Sequence, residues 1–159
     1  MSHPFTSALG AREADALIAT LAPDVVLHSA VTTAPFEGRE VVADTYRSVI
    51  ESFEEIRVVD EFESGDTHAF FWEGRIEGRY VAGADLFRLN ADGQVREVAI
   101  FGRPMSGVAT FVTGIGFRLA RRRRGGLVAT VLRVTSLPLP RLLSLLDPVS
   151  RWIVRMDRT

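Results

Sequence analysis

The sequence predicts an α+β domain: a curved antiparallel sheet with helices on one face, followed by a helical extension. Three observations carry this. The apolar period is helical up to about residue 22 and again over residues 39–53. It changes to two over four successive segments between residues 56 and 103, with turn signals between them. Beyond residue 104 it is helical once more. That order places helices on one side of a meandering sheet.

Residues 5–22 read as a helix, because Leu9, Leu17, Ile18 and Leu21 recur near helical spacing and Pro23-Asp24 stops it. Residues 25–33 are β-branched and read as a strand. The PFEG at 35–38 is a turn. Residues 39–53 read as a second helix, with Val42, Tyr46, Val49, Ile50 and Phe53 on one stripe. Strands follow at 56–63, 67–77, 79–89 and 94–103, separated by SGD, EG and NADG. Residues 107–123 are helical, with Val108, Phe111, Val112, Ile115 and Leu119 on one side and Gly125-Gly126 closing the helix. Residues 127–135 read as another helix, and Leu137-Pro138-Leu139-Pro140 as a break. Past it, Leu142, Leu145, Leu146, Val149, Trp152, Ile153 and Met156 form an apolar stripe opposite Ser144, Asp147, Arg151, Arg155 and Arg158.

Composition narrows the function classes. With 159 residues, 47% hydrophobic, the chain suits one domain with a real core. It has no cysteine, which excludes a disulfide scaffold, a thiol nucleophile and cysteine-ligated metal. His3, His28 and His68 lie far apart in no ligand spacing, so no metal is expected. All 19 basic residues are arginines, which excludes Schiff-base catalysis by lysine. The net charge of -1 conceals a split: residues 1–104 carry 18 acids against 9 arginines, and residues 105–159 carry 10 arginines against 2 aspartates. The opening MSHPFTSALGAREAD lacks a basic region followed by an apolar run, so a cytoplasmic protein is expected. The most apolar stretch, 127–146, contains Arg133, Pro138, Pro140 and Arg141 and is unfit to span a bilayer.

Three segments, LAPDVVLHS, APFEGREVVADTY and GADLFRLNADGQVREVAIF, stand in an order and at a spacing that carry a family likeness. Over roughly residues 5–104 the chain resembles the nuclear transport factor 2-like superfamily, particularly its SnoaL-like members. The resemblance implies a cone-shaped domain (residues 1–104) with an apolar pocket between helices and sheet. Residues 105–159 are then an arginine-rich amphipathic extension that packs on the same domain or on a dimer partner. The superfamily spans isomerases, cyclases, hydrolases and binding proteins, so the fold alone does not name an activity.

Compared with ketosteroid isomerase, Asp85 falls at the position of that family's protonated aspartic acid. Tyr46 falls at that of its supporting tyrosine. The base position holds Ser29, and the oxyanion tyrosine is replaced by Phe5. Two of the three principal groups are therefore missing. Arg75-Ile76-Glu77 is similar to a step of the limonene epoxide hydrolase pattern, but the last strand offers Val98, Ala99, Ile100 and Phe101 and no second acid. Where SnoaL-like cyclases commonly carry a late acid, Gly102-Arg103-Pro104 stands instead.

Asp85 is the best candidate for chemistry. Alternation puts Val81, Gly83, Asp85, Phe87 and Leu89 on one face. On an apolar pocket face, desolvation raises a carboxyl pKa and makes it a proton donor or a poised base. The plain alternative is a structural acid hydrogen-bonded to Tyr46 or to a backbone amide. The resemblance puts Phe70, Trp72 and Gly74 on the pocket face, with Gly74 opening space; core packing is the alternative. Phe5, Ser29, Phe70, Trp72, Phe87 and Phe101 are the expected substrate-binding wall, with Asp85 and Tyr46 as the catalytic pair. His28 points to the opposite face from Ser29, the side that forms the dimer interface in this superfamily, and His68 is placed at the pocket rim.

Arg121-Arg122-Arg123-Arg124 ends a helix, where cations complement the dipole, and no aromatic residues interleave with it. Nucleic-acid binding is not expected. Gly114-Ile115-Gly116 lies inside a helix and is no phosphate loop. The reading is a site for a small hydrophobic molecule, an isomerase, cyclase or hydrolase needing no cofactor, in a homodimer. The alternatives are a non-catalytic carrier and a peripheral module whose residues 125–159 lie on a membrane surface.

Overall fold

The computed structural model describes residues 2–124 and residue 143. Two short helices open the chain, α1 (Pro4–Ala11) and α2 (Ala14–Ala19), where one helix over 5–22 was expected. The break falls at Arg12, which has a left-handed φ of 61° and whose N–H closes α1 on the carbonyls of Ala8 and Leu9. No glycine or proline stands at that position, so the local sequence carries no stop signal there. The restraint is tertiary: the Arg12 guanidinium donates to the carbonyl of Glu54 at 3.0 Å. At its start, α1 has Pro4 in the first turn, and the His3 Nδ1 accepts the Phe5 N–H at 3.2 Å.

Strand β1 (Leu21–His28) begins four residues earlier than expected and takes in Pro23-Asp24. The proline does not end a helix. It sits in the strand where the register against its neighbour slips between Leu21 and Val26, an irregularity at which a missing N–H is tolerated. β2 (Phe36–Glu37) and α3 (Arg39–Ser52) follow. Then come β3 (Glu55–Ser64), β4 (Thr67–Ile76), β5 (Arg79–Leu89), β6 (Val95–Arg103) and α4 (Met105–Arg124), each close to its expected bounds.

The sheet order is β2-β1-β6-β5-β4-β3. Four of the five pairings are antiparallel; β1 runs parallel to β6. Register shifts at Val58/Asp60 and Arg88/Leu89 add bends to a sheet that curves without closing. Its inner face, with Phe70, Trp72, Ile76, Val81, Phe87 and Val98, packs against Phe5 and Leu9 of α1 and against Val42, Tyr46, Val49 and Ile50 of α3. The expected α3 stripe is thus the core stripe.

α4 lies against α3, β5 and β6. Gly107 permits the close approach: a Cβ there would come within 2.5 Å of the Tyr80 carbonyl oxygen. Further along, Arg118 Nη1 donates to Ser52 Oγ at 3.1 Å. The expected cap at Gly125-Gly126, the helix at 127–135, the break at 137–140 and the apolar stripe beyond it lie outside the described residues. No helix among the described residues is long and apolar enough to cross a membrane.

Candidate functional site

Strict alternation along two antiparallel strands builds the site. On β4, His68, Phe70, Trp72, Gly74 and Ile76 face inward; on β5, Val81, Asp85 and Phe87 do. Register places Trp72 opposite Gly83 and Phe70 opposite Asp85. Trp72 is therefore the diagonal neighbour of Asp85, within reach of a long side chain. Its Nε1–H donates to Asp85 Oδ1 at 2.8 Å. The glycine opposite makes this geometry available: a Cβ on Gly83 would stand 2.5 Å from Trp72 Cζ2.

Asp85 is only 5% exposed. Burial pushes its carboxyl up from 3.8 to about 7, against the downward pull of the Trp72 indole and of the Phe101 backbone amide. Near neutrality the group is then divided between acid and carboxylate. The Tyr46 hydroxyl was expected to bond to Asp85. Instead it is buried and has no hydrogen-bond partner among the described residues. Burial, and secondarily the nearby Asp85 charge, hold that phenol well above its usual range. It is a neutral hydroxyl with an uncommitted donor.

The other expected wall residues divide. Phe5, Phe70 and Phe87 are fully buried and meet one another, with Phe5 5.1 Å from Phe87 and edge-on to Phe70 at 6.1 Å. Phe5 also meets Tyr46 edge-on at 5.5 Å. Ser29 lies just past the end of β1, and its Oγ accepts the Val31 N–H at 3.3 Å. Phe101 is 61% exposed, on the outer face of β6, because Val98 and Ile100 take the inward positions. Only its backbone serves Asp85. The space expected at Gly74 is taken by Phe53, whose ring would stand 2.8 Å from a Cβ there.

His28 lies on the outer face, 3.3 Å from Glu97. His68 is more deeply placed than the rim position assigned to it. It is buried, stacked on Phe87 at 4.7 Å and 10°, and its Nδ1 has no partner among the described residues. Its parity with Phe70 and Trp72 was the signal that could have found it. His3 packs 5.2 Å from His68, and burial and then that neighbour lower its pKa, with Glu61 pulling the other way. Among the described residues, no three His, Asp or Glu side chains are grouped to hold a metal ion.

Comparison with known proteins places the fold. Residues 4–98 match the model of the SnoaL-like domain. A steroid delta-isomerase from Pseudomonas aeruginosa is similar at 27% identity and a TM-score of 0.68, over 73% of this chain and 86% of that one. An uncharacterised protein with a cystatin-like fold from Silicibacter pomeroyi is similar at 22% identity and a TM-score of 0.68, over 72% and 82%. The epoxide hydrolase/cyclase-like enzyme SalBIII, of pyran ring formation in salinomycin, shares the fold at 15% identity and a TM-score of 0.55, over 65% and 87%. No curated protein matches the chain.

Proposed function

The chain belongs to the SnoaL-like domain family, and from that premise we propose that it is an acid–base enzyme for a small, mainly apolar molecule. Asp85 moves the proton. The observation that carries this reading is a buried carboxyl bonded to an indole N–H, near a buried tyrosine hydroxyl with no partner among the described residues. Fold neighbours that include an isomerase and a cyclase-like enzyme support the class.

Each group then has a defined task. The ionised Asp85 takes a proton from carbon or oxygen next to a carbonyl group, and its acid form returns that proton elsewhere on the same molecule. A pKa near the working pH suits both halves. Tyr46 donates to the substrate oxygen as charge gathers there. Phe5, Phe70 and Phe87, packed on one another, keep water from the inner face around Asp85. Ser29 supplies no carboxylate and Phe5 no hydroxyl, so one carboxyl serves as both base and acid. One carboxyl that returns the proton it takes suits an isomerase or cyclase.

The test uses hydrogen exchange in heavy water. Small cyclic ketones and enones are incubated with the full chain, and loss of the proton next to the carbonyl is followed by NMR. The expected result is accelerated exchange that falls at least about a hundredfold in Asp85→Asn. Quenching of Trp72 fluorescence by the same compounds, without exchange, would favour the carrier reading, which the absence of an acid at Ser29 supports.

For the outer sheet face we propose a second copy as partner. Phe71 and Phe101 both register with Ala84, so they flank it on that face, and the Phe62 ring meets Phe71 edge-on at 6.1 Å. All three are about half exposed or more, which is uncommon for a surface facing only water. Sedimentation of the full chain should show a dimer that Phe71→Glu with Phe101→Glu converts to monomer. A monomeric wild type would overturn it.

A further inference from the structure

The one polar atom of Trp72 is already engaged. An indole has a single donor and no acceptor, so its bond runs from Trp72 to Asp85 alone. A wall residue would offer that N–H to a ligand; this one is held away from it. Three rings from three elements meet at this point. Phe53, just past α3, stands edge-on to Trp72 at 5.6 Å and 90°. Phe111 of α4 packs at 6.2 Å and 33°, and 5.7 Å from Phe53. Phe53 is seated against Gly74, and the indole against Gly83, so neither ring has side-chain bulk beneath it to ride over.

We infer that Trp72 is a positioning residue of the Asp85 site, and that α4, through Phe111, sets its orientation. The inference deepens the acid–base reading and rests on it. A hydrogen bond weakens steeply as its angle bends. Tilting α4 would shift Phe111, turn the indole and strip a donor from the ionised carboxyl. Asp85 would then hold its proton more tightly, although α4 itself touches neither the carboxyl nor the substrate. α4 begins beyond residues 4–98, the span that matches the family model, so this control reaches the site from outside that span.

The experiment reads the bond directly. The chain has two tryptophans, Trp72 and Trp152, so a nitrogen-15 spectrum of the full chain shows two indole N–H signals, which Trp72→Phe assigns. The Trp72 signal should move with pH at a midpoint of about 7, together with the Asp85 carboxyl carbon, and lie flat in Asp85→Asn. In Trp72→Phe, the carboxyl midpoint should rise by roughly one to two units. Phe111→Ala should raise it by less. Should Trp72→Phe fail to fold, the wild-type titration and Phe111→Ala decide. A Trp72 signal that stays flat while Asp85 titrates overturns the positioning role. A midpoint unchanged in Phe111→Ala removes α4 from it. The acid–base reading fails separately, if Asp85→Asn leaves proton exchange intact while the Trp72 and Asp85 titrations still coincide.

Discussion

One pair of strands, β4 and β5, holds charge in two opposite ways. On the outer face, Glu73 pairs with Arg57 and accepts from the Tyr80 hydroxyl. Arg75 meets Glu55 at 3.0 Å, and Arg88 meets Glu97 at 2.8 Å. Water reaches all of these groups. On the inner face, a single carboxyl, Asp85, is solvated by an indole and a backbone amide among rings. Where water does most of the solvating, a charge can be moved or removed with little effect, and exposed pairs contribute about 0–1 kcal/mol. Where fixed dipoles do it, proton affinity follows geometry. The inner face is the one on which a substitution should reach both stability and chemistry.

The contrast breaks most sharply at Asp85. Its folded pKa of about 7 stands above the open-chain 3.8, so folding favours the acid form. That contribution is whole below about pH 4 and is lost as pH rises through about 7, a difference of about 4 kcal/mol at most. Asp85→Asn should therefore stabilise the fold by up to about 4 kcal/mol near pH 8 and change little near pH 4, as read by urea unfolding. Equal pH slopes in both proteins would mean that Asp85 is solvated like its outer-face counterparts.

Gly83→Ala should be the next largest, destabilising by on the order of 3 kcal/mol, because the new methyl meets the Trp72 ring with sheet backbone behind it. A near-normal Tm would show that the indole has room to leave Asp85. Tyr46→Phe removes a buried hydroxyl that has no partner, and should stabilise by about 1 kcal/mol while lowering proton exchange. A loss of stability would reveal a partner for that hydroxyl. Glu73→Ala, on the outer face of the same strand, should change unfolding free energy by less than about 0.5 kcal/mol. A larger loss would sharpen the comparison differently, by showing that the outer pairs act as a network.

Much of this site is legible in the sequence, and the illegible parts share a cause. The inward parity of Phe70, Trp72, Asp85 and Phe87 follows from alternation, and so does that of His68, which overrides the rim position expected for it. The wall position expected for Phe101 fails, because Val98 and Ile100 claim the inner positions of the last strand. The apolar spacing over 5–22 predicts one helix, and nothing at Arg12 or Glu13 signals a break; the hold on Arg12 comes from carbonyls some forty residues away. Pro23 misled for the opposite reason: a strong local signal was absorbed by an irregular register.

The sequence by itself determined the α+β class, the run of strands from β3 to β6 and the inward parity of Phe70, Trp72, Asp85 and Phe87, because period and turn chemistry are local properties of the chain. Tertiary structure alone decided that Asp85 bonds to Trp72 and not to Tyr46, because that choice depends on register and on the empty side of Gly83. It decided that Gly74 admits the Phe53 ring and opens no space for a ligand. The proton affinity of Asp85 was settled there too, since desolvation sums over every element packed around the carboxyl and belongs to no segment of the sequence.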